Sequence, residues 1–404
     1  MSTAPSVTEP RRSRTSRVGP AAPPRRSMSL ALPFDPVLAL AVLGICICSL
    51  ATLNTVSERG IPDGFYMKRQ GIYFLVGTII AAVLARTDYS RLRELKYGIF
   101  GLIIVSVIAV RFAGNDVLGA RRAIQLPFFS FQASELGKVL LVVALAGFVV
   151  DRSRALHQPM TTIRIIALGL LPAALVLIQP DLGSSMVYGA VTLALLFVAG
   201  IPGRYFAAMG AVFAVVVVCV LVVLPMAGTE VLHGYQKARL TSFLHPNDNS
   251  NDTAFQQIQS RVAIGSGEKT GRGDKATQTS YNFLGEHHTD FVFAVVGERW
   301  GFMGAGLVLS LYALLIWRGL RALTMAKNLY GALIAGGITA MMLFQVFINV
   351  GMTVGIMPVT GIPLPLMSYG GSSVITTFLA IGLLQSVYAQ GRASTAGKGR
   401  VLGF

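Results

Sequence analysis

Ten nearly unbroken apolar stretches follow one another along the chain, at about 36–53, 70–85, 97–112, 134–150, 165–178, 182–202, 205–228, 291–317, 329–356 and 371–390. A helix needs about 20 apolar residues to cross the hydrocarbon of a bilayer, so each stretch predicts one spanning helix. The stretches at 70–85 and 165–178 are short and must extend into their flanks. The expected fold is an all-α polytopic membrane protein with about ten transmembrane helices. A large polar loop, 229–290, separates the seventh and eighth. Residues 34–391 form the membrane domain and 392–404 a short cytoplasmic tail. The first 33 residues hold six Arg among many Ser, Pro and Ala without hydrophobic periodicity, which predicts a disordered basic tail.

Composition agrees with the pattern. Of 404 residues, 53% are hydrophobic and 13% charged, and the mean hydropathy is +0.63. A soluble domain carries about 25% charged residues, so an ordinary soluble enzyme, a nucleic-acid binder and a disordered protein are all excluded. The net charge of +16 reads as membrane topology, because the basic residues cluster between the apolar runs. With the amino terminus inside, twenty Lys and Arg fall in inner segments and six in the short outer loops. Inner loops are enriched in these residues, which predicts both termini in the cytoplasm. Cys46, Cys48 and Cys219 all lie in apolar runs, so no disulfide framework or cysteine metal site follows.

Polar chemistry is concentrated in a few segments. Phe283-Leu-Gly-Glu-His-His-Thr-Asp290 runs directly into an apolar stretch. Asp290 therefore sits where the chain enters the membrane, and partial desolvation there suits a carboxylate to accept a proton. Glu286, His287 and His288 nearby are able to bind a divalent cation. The alternative is ordinary interfacial sequence. Glu135 and Lys138 stand three residues apart at the start of another span and share a helix face. With Arg121 and Arg122 just before, they make either a cationic pocket for a phosphate or pyrophosphate, or a structural pair beside two snorkelling arginines.

Asp181, in Gln179-Pro-Asp-Leu-Gly183, suits a tight turn between helices. Glu298 lies inside a span, where buried acids are functional by default unless they make a structural bond between helices. The glycine-rich 265–273 segment lacks a phosphate-loop ending, and reads as a flexible surface loop or as part of a path for substrate. Residues 358–373 contain three prolines and several glycines, which exclude a continuous helix. They either lie outside the hydrocarbon or line a cavity.

Arg122…Gln132-x-Ser134-Glu135-x-x-Lys138, Gln179-Pro-Asp-Leu-Gly183, Tyr235-Gln…Arg239, His288-Thr-Asp290-Phe and Pro363-Leu-Pro-x-x-Ser-Tyr-Gly-Gly371 together resemble the SEDS family (shape, elongation, division and sporulation), of RodA and FtsW type. Ile362-Pro-Leu-Pro365 leans toward RodA. The resemblance covers about 36–391, and the chain departs from the family pattern at Ala123, Pro127, Ala133 and Arg299.

The resemblance implies a peptidoglycan glycosyltransferase that polymerises lipid II at the outer face of the bacterial cytoplasmic membrane, for elongation and cell shape. It implies a class B penicillin-binding protein as transpeptidase partner, contact with membrane lipids and no nucleic acid. Asp290 matches the family's essential aspartate, and Arg122 and Lys138 its basic residues near the donor. Gln132, Ser134, Glu135, His288, Thr289, Ser368 and Tyr369 complete the expected substrate site. A divalent cation, Mg or Mn, is expected, with unknown ligands. Two other functions fit a polytopic chain with intramembrane charge: a flippase for the lipid-linked precursor, and a non-catalytic scaffold for wall synthesis.

Overall fold

A computed structural model describes residues 34–55, 62, 64–113, 115–117, 120–125, 129–219, 243, 252–280 and 288–401. Side chains at 113–122, 126–128, 216–217, 252–253 and 279–280, and those beyond 395, lie outside the description, as do the amino-terminal tail and most of the large loop.

Each predicted stretch coincides with a helix over its described residues, the seventh being described only as far as 219. These are α1 (Pro36–Leu53), α2 (Phe65–Arg86), α3 (Lys96–Ala113), α4 (Ala133–Asp151), α5 (Pro159–Ile178), α6 (Leu182–Val198) and α7 (Gly203–Val218). After the loop follow α8 (Asp252–Ser266), α9 (Val292–Met325), α10 (Leu329–Val354) and α11 (Gly371–Val401). Among the described residues, seven of these helices are long and apolar enough to cross a membrane, and α6 and α7 are shorter apolar helices. The two short stretches extend as expected, α2 back to Phe65 and α5 back to Pro159.

Local chemistry sets the ends. Asp35 caps α1, its Oδ1 accepting from the Val37 and Leu38 amides at 3.1 and 3.2 Å, with Pro36 in the first turn. Pro suits that position because the amide it lacks has no helical partner there. Asp35 Oδ2 also accepts from Arg318 Nε at 2.7 Å, and Gln385 Oε1 accepts from its backbone amide. One buried acid therefore ties α1 to α9 and α11.

Burial sorts the helices. The spanning window of α4 is 83% buried and that of α2 only 22%, which places α4 inside the bundle and α2 at its lipid-facing edge. Helix α4 packs on α3, α6, α10 and α11, while α2 lies along α11. Apolar residues on edge helices, such as Leu75 and Ile79, stay exposed, as expected where lipid is the solvent.

Three features go beyond the helix pattern. A small antiparallel sheet, β1 (Asn115–Val117), β2 (Ala120–Gln125) and β3 (Ser130–Phe131), connects α3 to α4. The large loop contains α8, which packs on α9 and α10. Helix α9 is broken at Gly301, with φ 62° and ψ −158°. The hairpin after α8 fits that break, because the Phe302 and Met303 amides donate to the Glu268 and Lys269 carbonyls. Gly301 has to be glycine on two counts: positive φ, and the Gly271 amide lying where a Cβ would go.

Candidate functional site

His288, Thr289 and Asp290 form a turn that delivers the chain into α9. The three consecutive carbonyls of this turn are each held by a donor from elsewhere in the fold. His288 O accepts from the Tyr369 amide at 2.8 Å. Thr289 O accepts from Ser368 Oγ at 2.6 Å. Asp290 O accepts from Asn349 Nδ2 at 2.9 Å. Tyr66 stacks on the His288 ring at a 4.5 Å centroid distance, and Tyr369 meets Tyr66 edge-on.

The donors belong to a non-helical segment between α10 and α11, which is itself braced. Ser368 Oγ accepts from the Leu364 amide at 2.8 Å, so this one hydroxyl closes a turn while holding Thr289. Gln70 on α2 donates to Ser368 O at 3.1 Å. Ser49 donates to Met367 O and Tyr312 to Pro365 O. Leu366 adopts a left-handed φ of 64° while 1% exposed. Such backbone costs about 1–3 kcal/mol and persists where its surroundings over-determine it. Ile362, Leu364, Leu366, Met367 and Ser368 are all buried, so the segment packs inside the protein.

A second polar cluster surrounds the start of α4. Lys138 Nζ lies 2.7 Å from Glu135 Oε1, and both residues are buried. Asp181 caps α6 through the Ser184 amide at 3.0 Å, the turn role expected of it. Its Oδ2 also accepts from Ser134 Oγ at 3.0 Å and Gln132 Nε2 at 3.4 Å, so the acid belongs to the Gln132–Ser134 cluster as well. Ser134 O accepts from Tyr188.

Residues 368–372 join the two clusters. Ser368 and Tyr369 hold the Asp290 turn, and three residues on, Ser372 Oγ donates to Ser130 O at 2.8 Å and accepts from the Gln132 amide at 2.9 Å. The expected residues Gln132, Ser134, Glu135 and Lys138 thus come together on one side, and His288, Thr289, Asp290, Ser368 and Tyr369 on the other. Arg122 has its backbone in β2, but its side chain, Glu286, His287, and the Tyr235 to Arg239 motif lie outside the described residues. Glu298 is buried, with its carboxylate accepting from the Gln278 amide at 2.8 Å, which ties α9 to the loop. Arg299 pairs with Asp274.

Sequence reasoning missed Gln70, Asn349 and Ser372. For Gln70 and Asn349 the available signal was a carboxamide at the edge of, or inside, an apolar run. Among the described residues no three His, Cys, Asp or Glu cluster as metal ligands. Glu135 is paired with Lys138 and Asp181 with Ser134 and Ser184, so the described side chains do not make a protein-only metal cage.

The family described as "Cell cycle protein", FtsW/RodA/SpoVE, matches residues 31–393. This chain belongs to that family. Among FtsW/RodA/SpoVE relatives, the probable peptidoglycan glycosyltransferase FtsW of Geobacter sulfurreducens is 34% identical, over 87% of this chain and 92% of its own length. The peptidoglycan glycosyltransferase RodA of Treponema pallidum is 33% identical, over 88% and 96%. A chain of a peptidoglycan synthase complex that coordinates polymerization and crosslinking superposes with TM-score 0.72 at 30% identity, covering 89% of this chain and 99% of that one. The rod shape determining protein RodA of Thermus thermophilus superposes with TM-score 0.64 at 29% identity, over 89% and 98%. The FtsW and RodA relatives match at almost equal identity.

Proposed function

We propose that this chain is a peptidoglycan glycosyltransferase in which Asp290 is the general base. It would polymerise lipid II at the outer face of the bacterial cytoplasmic membrane, with both termini in the cytoplasm. The activity comes from the family and from what its relatives are named. The observation that carries the assignment of Asp290 is the turn itself: three consecutive carbonyls held by outside donors, in a segment linked through 368–372 to the Glu135–Lys138 pair.

In this reading Asp290 takes the proton of the acceptor sugar's 4-hydroxyl as its oxygen attacks the donor's anomeric carbon. The leaving group is a lipid diphosphate. It departs as a stable anion, so no second carboxyl is needed to protonate it, unlike the alkoxide of a glycosidase. One displacement at an α-linked diphosphate gives a β-linked strand. Arg122 supports the departing charge. Lys138, buried and paired with Glu135, maintains the shape of the pocket rather than meeting the diphosphate as a lone cation. A divalent cation, Mg or Mn, would supply further positive charge to the diphosphate leaving group. A class B penicillin-binding protein is the proposed partner, crosslinking the product.

The test is polymerisation of lipid II by purified protein, with and without that partner, comparing wild type and Asp290→Asn. Glycan strands from wild type alone are expected. No polymer from wild type with the partner present would sink this reading and favour the flippase or scaffold.

A further inference from the structure

Asn349 lies in the last third of α10, between Gln345 and Thr353 at one helical turn on either side, and is fully buried. Its Nδ2 makes two hydrogen bonds, to Asp290 O at 2.9 Å and to Ile362 O at 2.8 Å. Its Oδ1 is buried without a hydrogen-bond partner among the described residues. A leucine would fill a similar volume without leaving an acceptor orphaned, so packing alone does not account for an asparagine. What the residue supplies is its two N–H donors.

Both donors converge on the site. Phe291 is the residue before α9, and its carbonyl already accepts from the Ala294 amide. The Asp290 carbonyl lies one residue earlier, and Asn349 holds it. That bond fixes the peptide plane between Asp290 and Phe291. An aspartate side chain has only two rotatable bonds, so its carboxylate position follows that plane closely. The second N–H holds Ile362, at the start of the segment whose Ser368 and Tyr369 hold Thr289 and His288. One amide therefore sets the turn and the segment that clasps it relative to each other.

We propose that Asn349 is a positioning residue for Asp290, acting through the backbone of the 288–290 turn and Ile362 without touching substrate. This rests on the reading of Asp290 as the base. A misplacement of about 1 Å in a reacting group is enough to lower turnover about a hundredfold. The loss belongs in kcat, because the residue makes no ground-state contact with substrate.

The experiment measures kcat, KM for lipid II and thermal stability for wild type, Asn349→Leu, Asp290→Asn and Thr353→Val, each purified full-length with the penicillin-binding partner. Thr353 is a buried residue on the same helix whose hydroxyl bonds to Val350 O within α10, so its variant reports what loosening α10 does by itself. Asn349→Leu is expected to lose about ten- to a hundredfold in kcat, with KM changed less than about threefold and a melting temperature like that of Thr353→Val, which keeps its turnover. Wild-type kcat in Asn349→Leu, with Asp290→Asn inactive, overturns the positioning role and leaves the base intact. Polymerisation by Asp290→Asn overturns the base, and this inference with it. If Asn349→Leu does not fold, the isosteric Asn349→Asp replaces it. The same loss of kcat is expected, and wild-type kcat, or failure of that variant to fold as well, overturns the proposal.

Discussion

The two halves of the site are held in different ways. The Asp290 turn is fixed through its backbone by neutral donors: an amide N–H, a hydroxyl and a carboxamide. The start of α4 is fixed through charged side chains, the Glu135–Lys138 pair and the Asp181 carboxylate. These three bonds run through the turn's carbonyls and not through the Asp290 carboxylate, so a change in the protonation state of that acid leaves them in place. At α4 the charges are the support. Changes in the turn should therefore appear in rate, and changes at α4 in stability.

Asp290→Asn is the largest expected effect and tests the first half of this contrast. Loss of a general base lowers turnover by about 10²- to 10⁴-fold, while the three backbone bonds survive and the thermal melt should scarcely move. A melt lowered in step with activity would show that the carboxylate is structural, and the contrast would fail.

Glu135→Ala tests the other half. Removing one partner of a buried ion pair leaves an uncompensated charge, at about 3–5 kcal/mol, and the melt should fall accordingly. The double variant Glu135→Leu, Lys138→Met should recover much of that loss, since apolar replacements of buried pairs are often neutral or better. A double variant that regains stability without activity would give the pair a role in the reaction as well. Ser134→Ala, which takes one neutral donor from Asp181, should cost less, about 1–3 kcal/mol.

These two halves were not equally legible in the sequence. The spans were, because lipid demands long apolar runs and tolerates little else. Glu135 and Lys138 were legible too, since their spacing is local and charge inside a span stands out. Asn349 and Gln70 were not. A carboxamide in an apolar run carries no charge signature, and the groups they hold are backbone carbonyls at distant positions, Asp290 being 59 residues from Asn349. The break at Gly301 escaped for a related reason: glycine is common in membrane helices, and only the α8 hairpin packed against it shows why this one matters. Helix α8 itself is too polar to register as a span.

Gly301→Ala follows in size. It places a Cβ against the Gly271 amide and the Gly267 carbonyl at a positive φ, and strained backbone of this kind costs about 1–3 kcal/mol. The damage falls at the α8 hairpin, in a part of α9 beyond both halves of the site. Stability should drop with kcat per folded molecule kept. A kcat loss as large as that of Asn349→Leu would mean that the whole of α9, and not its first turn, positions Asp290.

The smallest effect belongs to Asp88, outside the spans in the connection between α2 and α3, and it provides the baseline for the comparison. Its carboxylate accepts from the Ser90 amide at 2.9 Å and lies 3.4 Å from Lys327 Nζ, with about half its side chain exposed. The Ser90 amide first, and Lys327 after it, hold its pKa below the ordinary carboxylate value. A depressed folded-state pKa contributes stability that is present above the unfolded value of about 4 and is lost as pH falls through the folded one. Asp88→Asn keeps the capping geometry, since asparagine caps as well as aspartate, and removes only the charge. The melt at neutral pH should therefore differ from wild type by less than about 1 kcal/mol. That difference should shrink further as the pH is lowered below about 4, because wild type then loses the same charge by protonation. A gap that widened toward acid would mean that Asp88 is held by its neutral form, the reverse of the electrostatics seen here. A gap at pH 7 as large as that of Glu135→Ala would mean that exposed and buried pairs weigh alike in this bundle. The distinction drawn between the Asp290 turn and the charged start of α4 would then lose its basis.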